Sequence, residues 1–299
     1  MALTTHFSDV LADCRKKNLT LSRYFFEREI AIGDRDEEEI LQKMERNLCI
    51  MEDAVKRGLE GVESFSGLSG GDAKRMLVYM KEVSPLGDSR YFEAALNAVA
   101  INEVNASMGI ICATPTAGSS GIVPGVLMAF RNRLNLDRRS QIDFLFTSGG
   151  CGILIGNQAS LSGAAGGCQA EVGSASAMAA AALVEAAGGS PEAAGHALAI
   201  SLQNLLGLSC DPVASLVEVP CINRNAVGAV NAIVAAEMAL AGVKSRIPVD
   251  EVIQAMGSIG RMMPVALRET ALGGLAQTPT ARRIEKQLKE KGKVDLDKI

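Results

Sequence analysis

The sequence is organised around two runs, GGCGILIGNQASLSGAAGGCQAEVGSA at 149–175 and SLQNLLGLSCDPVASLVEVPCINRN at 201–225. The span that contains both runs holds four of the seven cysteines, and no lysine or arginine occurs between Arg139 and Arg224. Three of these cysteines stand near glycine or proline: Cys168, Cys210 and Cys221. The backbone can turn at such residues and bring three sulfur atoms towards one point. We therefore expect the chemistry of the chain to lie here.

The composition of the whole chain favours closely packed helices. Only 4% of the residues are aromatic and tryptophan is absent, whereas glycine occurs 30 times and alanine is abundant. Small side chains let helices approach each other closely, and alanine has the highest intrinsic helix propensity. We predict a mainly α-helical protein whose functional cysteines lie in glycine- and proline-rich breaks between helices.

The charge balance excludes two classes of partner. The 30 basic and 34 acidic residues give a formal net charge of -4, so no overall basic field attracts nucleic acid or an acidic lipid surface. The uncharged run from Phe144 to Ala170 contains many glycines and polar side chains, which would be costly in lipid. We predict neither a nucleic-acid ligand nor a membrane span.

The length of the chain and its N-terminal residues indicate how many domains to expect and in which cellular compartment. The 299 residues suit one large domain or two smaller ones. The absence of a composition break favours one domain over 1–299, with N-terminal helices in 1–60 and a charged tail in 280–299. The first residues show no secretory signal, so we expect a cytoplasmic protein. Seven cysteines in a reducing compartment favour thiols or metal ligands over disulfides.

Apolar periodicity and capping residues predict the helices. The expected spans are 72–83, 89–108, 171–187, 190–206 and 226–241, with a further helix that begins at Pro248. The pair Ser190 and Pro191 is typical of a helix N-terminus. The run FLFTSGGCGILIG at 144–156 has the composition of a strand but is interrupted by glycines. Its secondary structure therefore stays open.

Three residues with reactive side chains outside the main cysteine set have simpler interpretations. Cys14 and Cys49 fall on predicted apolar helix faces, where a free cysteine packs as a small hydrophobic residue. We interpret both as core residues. His196 lies among alanines inside a predicted helix, and we interpret it as structural rather than as a base.

Two glycine-rich turns precede helices and are candidates for binding an anionic group. SFSGLSGGDAKRML at 64–77 places Lys74 beside a predicted helix start, although it lacks the spacing of a nucleotide-binding loop. ICATPTAGSSGIVPGVL at 111–127 offers hydroxyl groups and free N–H groups at a helix start as a carboxylate cradle. Its candidate hydroxyls are those of Thr116, Ser119 and Ser120. The alternative for this second turn is an elaborate cap that binds no ligand.

The three cysteines of the central span are candidates for metal ligands. Their spacing, C-x41-C-x10-C, matches neither a zinc knuckle nor a small ferredoxin. Apolar surroundings with few charges suit an iron–sulfur cluster or zinc. Three thiolates leave one metal position open, and an open iron can act as a Lewis acid on a hydroxyl or carboxylate group.

Four segments of the chain resemble the alpha subunit of iron–sulfur L-serine dehydratase. They are SGGDAKR at 69–75, ATPTAGSSGIVPGV at 113–126, GCQAEVGSASAMAAAALVEAAGG at 167–189 and LGLSCDPVASLVEVPCINRNA at 206–226. The resemblance covers about residues 60–290, and the last two motifs are highly specific.

The resemblance implies a mainly helical catalytic domain that holds a [4Fe-4S] cluster on Cys168, Cys210 and Cys221. Enzymes of this family convert L-serine to pyruvate and ammonia without pyridoxal phosphate. A base removes the α proton, and the iron without a cysteine ligand draws off the β hydroxyl as hydroxide.

Candidate substrate contacts follow from the resemblance and the turns together. The TPTAGSSG turn would hold the substrate carboxylate through Thr116, Ser119 and Ser120. The loop that contains Lys74 would close over the substrate. Arg224, three residues after the last cysteine, would pair with the carboxylate or with the charge of the cluster.

The resemblance also implies a partner chain. Single-chain relatives carry a second domain with an SHT-type motif, whose histidine is a candidate base, and no such motif occurs here. We therefore expect a separate beta subunit that contributes the base. Single-chain relatives can also fill the open iron position with a cysteine near the C-terminus, which the tail KGKVDLDKI lacks. Water or another ligand is then expected at that position at rest.

Three alternatives use the same residues differently. A pyridoxal phosphate dehydratase needs a lysine for its Schiff base, and none lies between Lys81 and Lys244. A related lyase that acts on cysteine and releases sulfide is the better alternative. A third is a non-catalytic subunit in which the cysteines are packing residues or hold zinc structurally. Zinc would usually take a fourth thiolate or histidine, and the candidates, Cys151 and His196, have no distinctive spacing.

Overall fold

Thirteen α-helices form the part of the protein that a computed structural model describes, residues 5–33 and 36–292. In chain order they are α1 Phe7–Lys17, α2 Leu21–Gly33, α3 Glu37–Glu60, α4 Asp72–Glu82, α5 Ser89–Ala106, α6 Ile122–Phe130, α7 Arg138–Gln158, α8 Gly163–Gly166, α9 Ser174–Ala186, α10 Pro191–Gln203, α11 Cys221–Leu240, α12 Val249–Met262 and α13 Pro279–Glu290. Within these ranges β structure is limited to two isolated bridges. The predicted mainly α-helical class is confirmed.

Short helical turns occupy several of the connections. Turns of 3-10 helix occur at Ala117–Ser119, Val213–Ser215, Val265–Leu267 and Gly274–Gln277, and a π-helical turn at Gln169–Gly173 leads directly into α9. These connections, rather than the long helices, carry most of the residues that the sequence marks as functional.

Helix α9 lies at the centre of the hydrophobic core. Every residue from Ser174 to Val184 is buried, as expected for a helix without a solvent-facing side. Helices α6, α7, α10 and α11 pack against it, and α5 packs against α6 and α11. The alanine-rich run that predicts this helix is therefore also the innermost element of the fold.

Small residues let neighbouring helices touch through their backbones. A Cβ atom on Gly121, at the start of α6, would lie 2.2 Å from the carbonyl oxygen of Ala98 in α5. A Cβ on Gly58 in α3 would approach the carbonyl oxygen of Ala100 equally closely. The glycine content of the sequence thus has a direct use in helix packing.

The ambiguous run at 144–156 is part of the long helix α7. The side chain of Asp137 accepts a hydrogen bond from the backbone N–H of Ser140 and caps the helix start. Gly150 lies against the Phe25 ring, where a Cβ would approach within 2.1 Å of a ring carbon. The run looks strand-like because a helix buried on several sides has no clear apolar period.

Most other helix ends lie within a few residues of the ends that the sequence predicts. The Ser190 side chain accepts a hydrogen bond from the N–H of Ala193, and Pro191 is the first residue of α10, as predicted. Helix α11 begins at Cys221, before the predicted start at 226, because Pro220 serves as its N-cap rather than as a break. Helix α9 begins later than predicted because the π turn precedes it.

Carboxylates from distant helices cap the N-terminal helices. Asp250 of α12 accepts a hydrogen bond of 2.8 Å from the N–H of Phe7, and Glu185 of α9 accepts one of 2.7 Å from the N–H of Leu21. Phe7, Leu21 and Cys14 are buried in the large core cluster. The prediction that Cys14 is a core residue is confirmed.

Cys49 differs from this prediction and is exposed. It follows Leu48, which lies on the apolar face of α3, so the next position points about 100° away from that face. The Arg138 guanidinium lies 3.2 Å from its sulfur and also pairs with Glu45. Cys49 therefore sits in a surface ion-pair cluster.

The C-terminal part contains α12, an irregular segment and α13. Residues 293–299 of the predicted charged tail lie outside the described residues. Along residues 5–33 and 36–292, no helix combines the length and the apolar character that crossing a bilayer requires.

Candidate metal centre

The three cysteines lie buried at three separate breaks between helices. Their exposed fractions are 2% for Cys168 and Cys210 and 5% for Cys221. Cys168 immediately precedes the π turn, Cys210 follows α10, and Cys221 is the first residue of α11. Each sulfur thus comes from a segment where a helix begins or has just ended.

Two of the thiols meet at a shared point with one carboxylate. The Sγ atoms of Cys168 and Cys210 and a carboxylate oxygen of Glu171 all lie within 4.8 Å of one another. The Cys210 thiol donates a hydrogen bond to Cys168, which lowers the pKa of Cys168 although burial acts in the opposite direction. The same hydrogen bond, with burial, raises the pKa of Cys210. Cys168 is therefore the thiol of this pair that ionises first.

The charges of Cys168, Glu171 and Arg224 also act on the thiol of Cys221. Burial raises the pKa of Cys221 to about 12, and negative charge on Cys168 and Glu171 acts in the same direction. A ligand has to be deprotonated to bind a metal, so a cation that replaces these protons would relieve the unfavourable burial of thiolates.

Arg224 is a basic side chain whose charge acts on the thiols of Cys168 and Cys221. Its guanidinium donates to the carbonyl oxygen of Ser209 at 2.7 Å and to a carboxylate oxygen of Asp211 at 2.8 Å. It also hydrogen-bonds to Cys168, where its charge lowers the pKa of that thiol. Of the two predicted roles for Arg224, these contacts favour neutralising charge at the thiols.

The segment after α12 covers Cys210. The N–H of Cys210 donates to the carbonyl oxygen of Leu267 at 2.8 Å, and the N–H of Glu269 donates to the carbonyl oxygen of Cys210 at 2.7 Å. Asp211 holds the next turn by accepting a hydrogen bond of 2.8 Å from the N–H of Leu275. Residues 265–277 therefore pack against Cys210 and Asp211. We call these residues the cover segment.

The predicted carboxylate cradle consists largely of hydrogen bonds within its own turn. The Ser119 hydroxyl donates to the carbonyl oxygen of Thr114 at 3.2 Å, and the Ser120 hydroxyl donates to that of Ala117 at 2.8 Å. Both serines are fully buried. Thr116 differs, because its hydroxyl is partly exposed and hydrogen-bonds to Glu171. The structure thus places Thr116 against Glu171, whereas the hydroxyls of the two serines hold the turn together.

Asn225 joins this turn to Cys221. Its side-chain nitrogen donates to the carbonyl oxygens of Gly118 at 2.7 Å and Cys221 at 2.9 Å, and its oxygen accepts from the N–H of Gly121 at 3.1 Å. The side chain is fully buried. Sequence reasoning did not single out Asn225, because an asparagine inside a helix carries no local signal of such long-range contacts.

Glu171 is the second residue that the sequence analysis missed. Burial raises its pKa, the neighbouring Glu269 acts in the same direction, and the hydrogen bond from Thr116 partly offsets both. A Cβ atom added to Gly118 would lie 3.4 Å from Oε2 of Glu171, and a Cβ atom added to Gly163 would lie 2.8 Å from it. The sequence does distinguish Glu171, because it is the sole charged residue between Asp143 and Glu185.

The SGGDAKR loop reaches the site through Glu218. This buried carboxylate, three residues before Cys221, accepts hydrogen bonds from Ser66 at 2.7 Å and Ser69 at 2.5 Å. Lys74 itself is exposed on α4, with its aliphatic chain near Gly61. The contacts of this loop therefore run through its serines rather than through its lysine.

The N-terminus of α4 is already paired with an internal carboxylate. Glu103 of α5 accepts hydrogen bonds from the N–H groups of Asp72 at 2.7 Å and Ala73 at 3.2 Å. Its exposed fraction is 1%. The donors that an anionic substrate would use at this helix start are thus taken by a residue of the protein.

The set of donor atoms fits an iron–sulfur cluster. Cysteine sulfurs are the usual ligands of such clusters, and a buried shell with hydrogen-bonded thiols is typical of their sites. Over the residues that the structure describes, the group of potential ligands within 4.8 Å of one another is Cys168, Glu171 and Cys210. Cys221 lies outside this limit, as do Cys151 and His196. Burial lowers the pKa of His196, and Cys151 is fully buried in the core cluster.

Comparison with known families agrees with this geometry. Residues 16–276 match the family described as serine dehydratase alpha chain. The chain belongs to this family. The match includes the three cysteines, Glu171 and Arg224, together with all but the last residue of the cover segment.

Individual relatives support the assignment over nearly the whole chain. A probable L-serine dehydratase alpha chain of Bacillus subtilis is 57% identical over 92% of this chain and 91% of its own length. The L-serine dehydratase alpha chain of Peptoniphilus asaccharolyticus is 43% identical over 95% of this chain and 98% of its own length. The L-serine dehydratase of Streptomyces coelicolor is 40% identical over 90% of this chain, which covers 59% of that longer protein.

Proposed function

We propose that this chain is the cluster-binding alpha chain of an L-serine dehydratase that converts L-serine to pyruvate and ammonia. The observation that carries the proposal is that Cys168 and Cys210 meet at one point and that the charge of Cys168 also acts on the buried Cys221, in a chain of the serine dehydratase alpha family. Cys168, Cys210 and Cys221 would hold a [4Fe-4S] cluster. When bound, this cluster supplies Lewis acidity that activates the β hydroxyl of serine as a leaving group.

The residues around the thiols prepare the site for a charged ligand. Arg224 lowers the pKa of Cys168 and so favours the thiolate that metal binding needs. Cys221 is the first residue of α11, and helix N-termini stabilise negative charge. The cover segment holds the backbone of Cys210 in place through its hydrogen bonds with Leu267 and Glu269.

The proposed substrate contacts are those predicted from the sequence, and the structure supports them to different degrees. Thr116 is the strongest candidate for binding serine, because its hydroxyl hydrogen-bonds to Glu171, whose carboxylate lies beside Cys168 and Cys210. Ser119 and Ser120 would act by fixing the turn that presents backbone N–H groups. Lys74 would take part through movement of its loop, and Arg224 would act on cluster charge.

A separate beta chain completes the proposed enzyme. The longer Streptomyces coelicolor relative contains a large segment that this chain does not match, and the names of the nearly equal-length relatives specify an alpha chain. We propose that the partner contributes the base that removes the α proton, without pyridoxal phosphate. A cytoplasmic location stays a prediction.

Metal analysis with matched cysteine variants tests the proposal. The protein is purified without oxygen, and iron, acid-labile sulfide and the visible spectrum are measured for the wild type and for C168A, C210A and C221A. C151A serves as the control, because Cys151 is also buried but lies outside the group formed by Cys168, Glu171 and Cys210. We expect about four irons per chain, lost in the three variants and kept in the control.

Activity then separates the substrates. With the partner chain present, L-serine should give pyruvate, whereas a preference for L-cysteine with release of sulfide would favour the related lyase. Colourless protein after anaerobic reconstitution, or iron retained in all three variants, would refute the cluster.

A further inference from the structure

Glu171 occupies a position in the thiol group that the proposed reaction leaves unexplained. One of its carboxylate oxygens lies within 4.8 Å of the sulfur atoms of both Cys168 and Cys210. The residue is three positions after Cys168, in the π turn between that cysteine and α9. It is the sole charged side chain between Asp143 and Glu185, so the one charge of this stretch of sequence lies at the thiols.

The carboxylate is held in place from several sides. Thr116 hydrogen-bonds to it. The backbones of Gly118 and Gly163 lie so close that a Cβ on Gly163 would be 2.8 Å from Oε2. Such contacts limit the number of positions that the carboxylate can take. Fixed donor atoms next to thiols are characteristic of metal ligands supported by a surrounding shell.

Three cysteines leave one iron of a [4Fe-4S] cluster without a protein sulfur. We propose that Glu171 is the fourth protein ligand, binding this iron through a carboxylate oxygen while no substrate is present. The inference rests on the proposed cluster. Carboxylate oxygens bind iron readily, and this oxygen already shares one site with two of the sulfur atoms.

A neighbouring carboxylate supplies the matched comparison. Glu269 of the cover segment has an oxygen 3.1 Å from the same Cβ position on Gly163. Within the part of the chain that the structure covers, the potential ligands grouped within 4.8 Å are Cys168, Glu171 and Cys210, without Glu269. Both glutamates therefore lie next to Gly163, but only Glu171 has an oxygen within 4.8 Å of the sulfur atoms of Cys168 and Cys210 among the described residues.

Electron-nuclear double resonance of the reduced cluster in ¹⁷O-labelled water tests the assignment. The samples are the wild type, Glu171→Gln and Glu269→Gln, each first assayed for iron and sulfide. Glutamine keeps the size of the side chain but is a much weaker ligand, so water should enter in its place. We expect a strong ¹⁷O coupling in Glu171→Gln and none in the wild type or in Glu269→Gln.

A second measurement needs no variant. Wild-type protein labelled with ¹³C at the glutamate carboxyl groups should show a ¹³C coupling to the cluster if a glutamate is bound. Strong ¹⁷O coupling in the wild type, or a gain of coupling in Glu269→Gln alone, overturns the assignment. So does a wild-type cluster without ¹³C coupling. Absence of iron and sulfide from the wild type would instead refute the proposed cluster, and this inference with it.

Discussion

The side-chain nitrogen of Asn225 lies 2.7 Å from the carbonyl oxygen of Gly118 and so fixes the first turn of α11 to the turn that contains Thr116. The same amide also binds Gly121 and Cys221. One buried side chain therefore sets the position of a proposed cluster ligand relative to a proposed substrate contact.

Replacing this amide should weaken both stability and cluster binding. Asn225→Ala leaves three backbone groups of the site without their partner, and an unpaired buried polar group costs about 1–3 kcal/mol. We expect the free energy of unfolding to fall by about 3 kcal/mol or more, together with a lower iron content. Asn132→Ala, at an exposed asparagine, is the control and should change stability by less than about 0.5 kcal/mol. Equal losses in both variants would contradict this account.

The contact between α5 and α6 gives a second prediction. Gly121→Ala would place a methyl group 2.2 Å from the carbonyl oxygen of Ala98, and such overpacking typically costs about 1–3 kcal/mol. Gly149→Ala in α7 meets no atom within 4 Å and should stabilise the helix by about 0.5–1 kcal/mol. Thermal unfolding of the two variants measures the contrast, and similar midpoints would show that α5 and α6 can separate without cost.

Glu218 provides a test of the loop at 64–71. Glu218→Gln replaces one of the two carboxylate oxygens that accept from Ser66 and Ser69 by an NH2 group, so one serine hydroxyl loses its acceptor and the other keeps only a neutral amide oxygen. We expect faster proteolytic cleavage of the loop and a raised KM for serine, with kcat less affected. Glu237→Gln, at an exposed position of α11, should leave both unchanged. An unaltered cleavage rate in Glu218→Gln would separate the loop from this carboxylate.

The buried Glu103 makes stability depend on pH in a defined direction. Burial raises the pKa of Glu103 above its ordinary value of 4.5, although the N–H groups of Asp72 and Ala73 partly offset this effect. The folded protein then holds the proton more tightly than the unfolded chain. The contribution of Glu103 to stability is therefore full below its ordinary pKa and is lost as pH rises through the folded pKa.

Urea unfolding checks this sign. Between about pH 4 and pH 7, the unfolding free energy of the wild type should decline relative to that of Glu103→Gln, which does not titrate. Parallel pH curves for the two proteins would show that Glu103 has the same pKa in the folded and unfolded states.

The cysteines should differ in reactivity as their environments differ. Burial raises the pKa of Cys14 to about 12, and the thiolate is the reactive form. Cys49 is exposed beside Arg138. Iodoacetamide should therefore modify Cys49 first, with Cys14 and Cys151 modified after unfolding, as measured by peptide mass spectrometry. Early modification of Cys14 would mean that α1 opens readily.

Local signals in the sequence predicted much of the fold. The start of α10 was predictable because Ser190 and Pro191 act within one helical turn. The secondary structure of α7 was not, because a helix that is buried on several sides lacks apolar periodicity. The cap of α4 was equally hidden, since Glu103 comes from another helix.

The candidate site shows the same division. Breaks with glycine or proline indicated the three cysteines, and the turn with Ser119 and Ser120 was recognisable from its hydroxyls. Their hydrogen-bond partners were not, since a hydroxyl in a turn can bind backbone or ligand equally well. Glu171 became visible as part of the site when the fold placed it beside Cys168 and Cys210.

The order of the segments along the chain affects how the enzyme can be made. Cys168, Cys210 and Cys221 all precede the cover segment, whose residue Leu267 binds the backbone of Cys210. During translation the three thiols therefore leave the ribosome before the segment that closes over them. A nascent chain at that stage would present its thiols to a cluster donor through an opening that the finished protein no longer has.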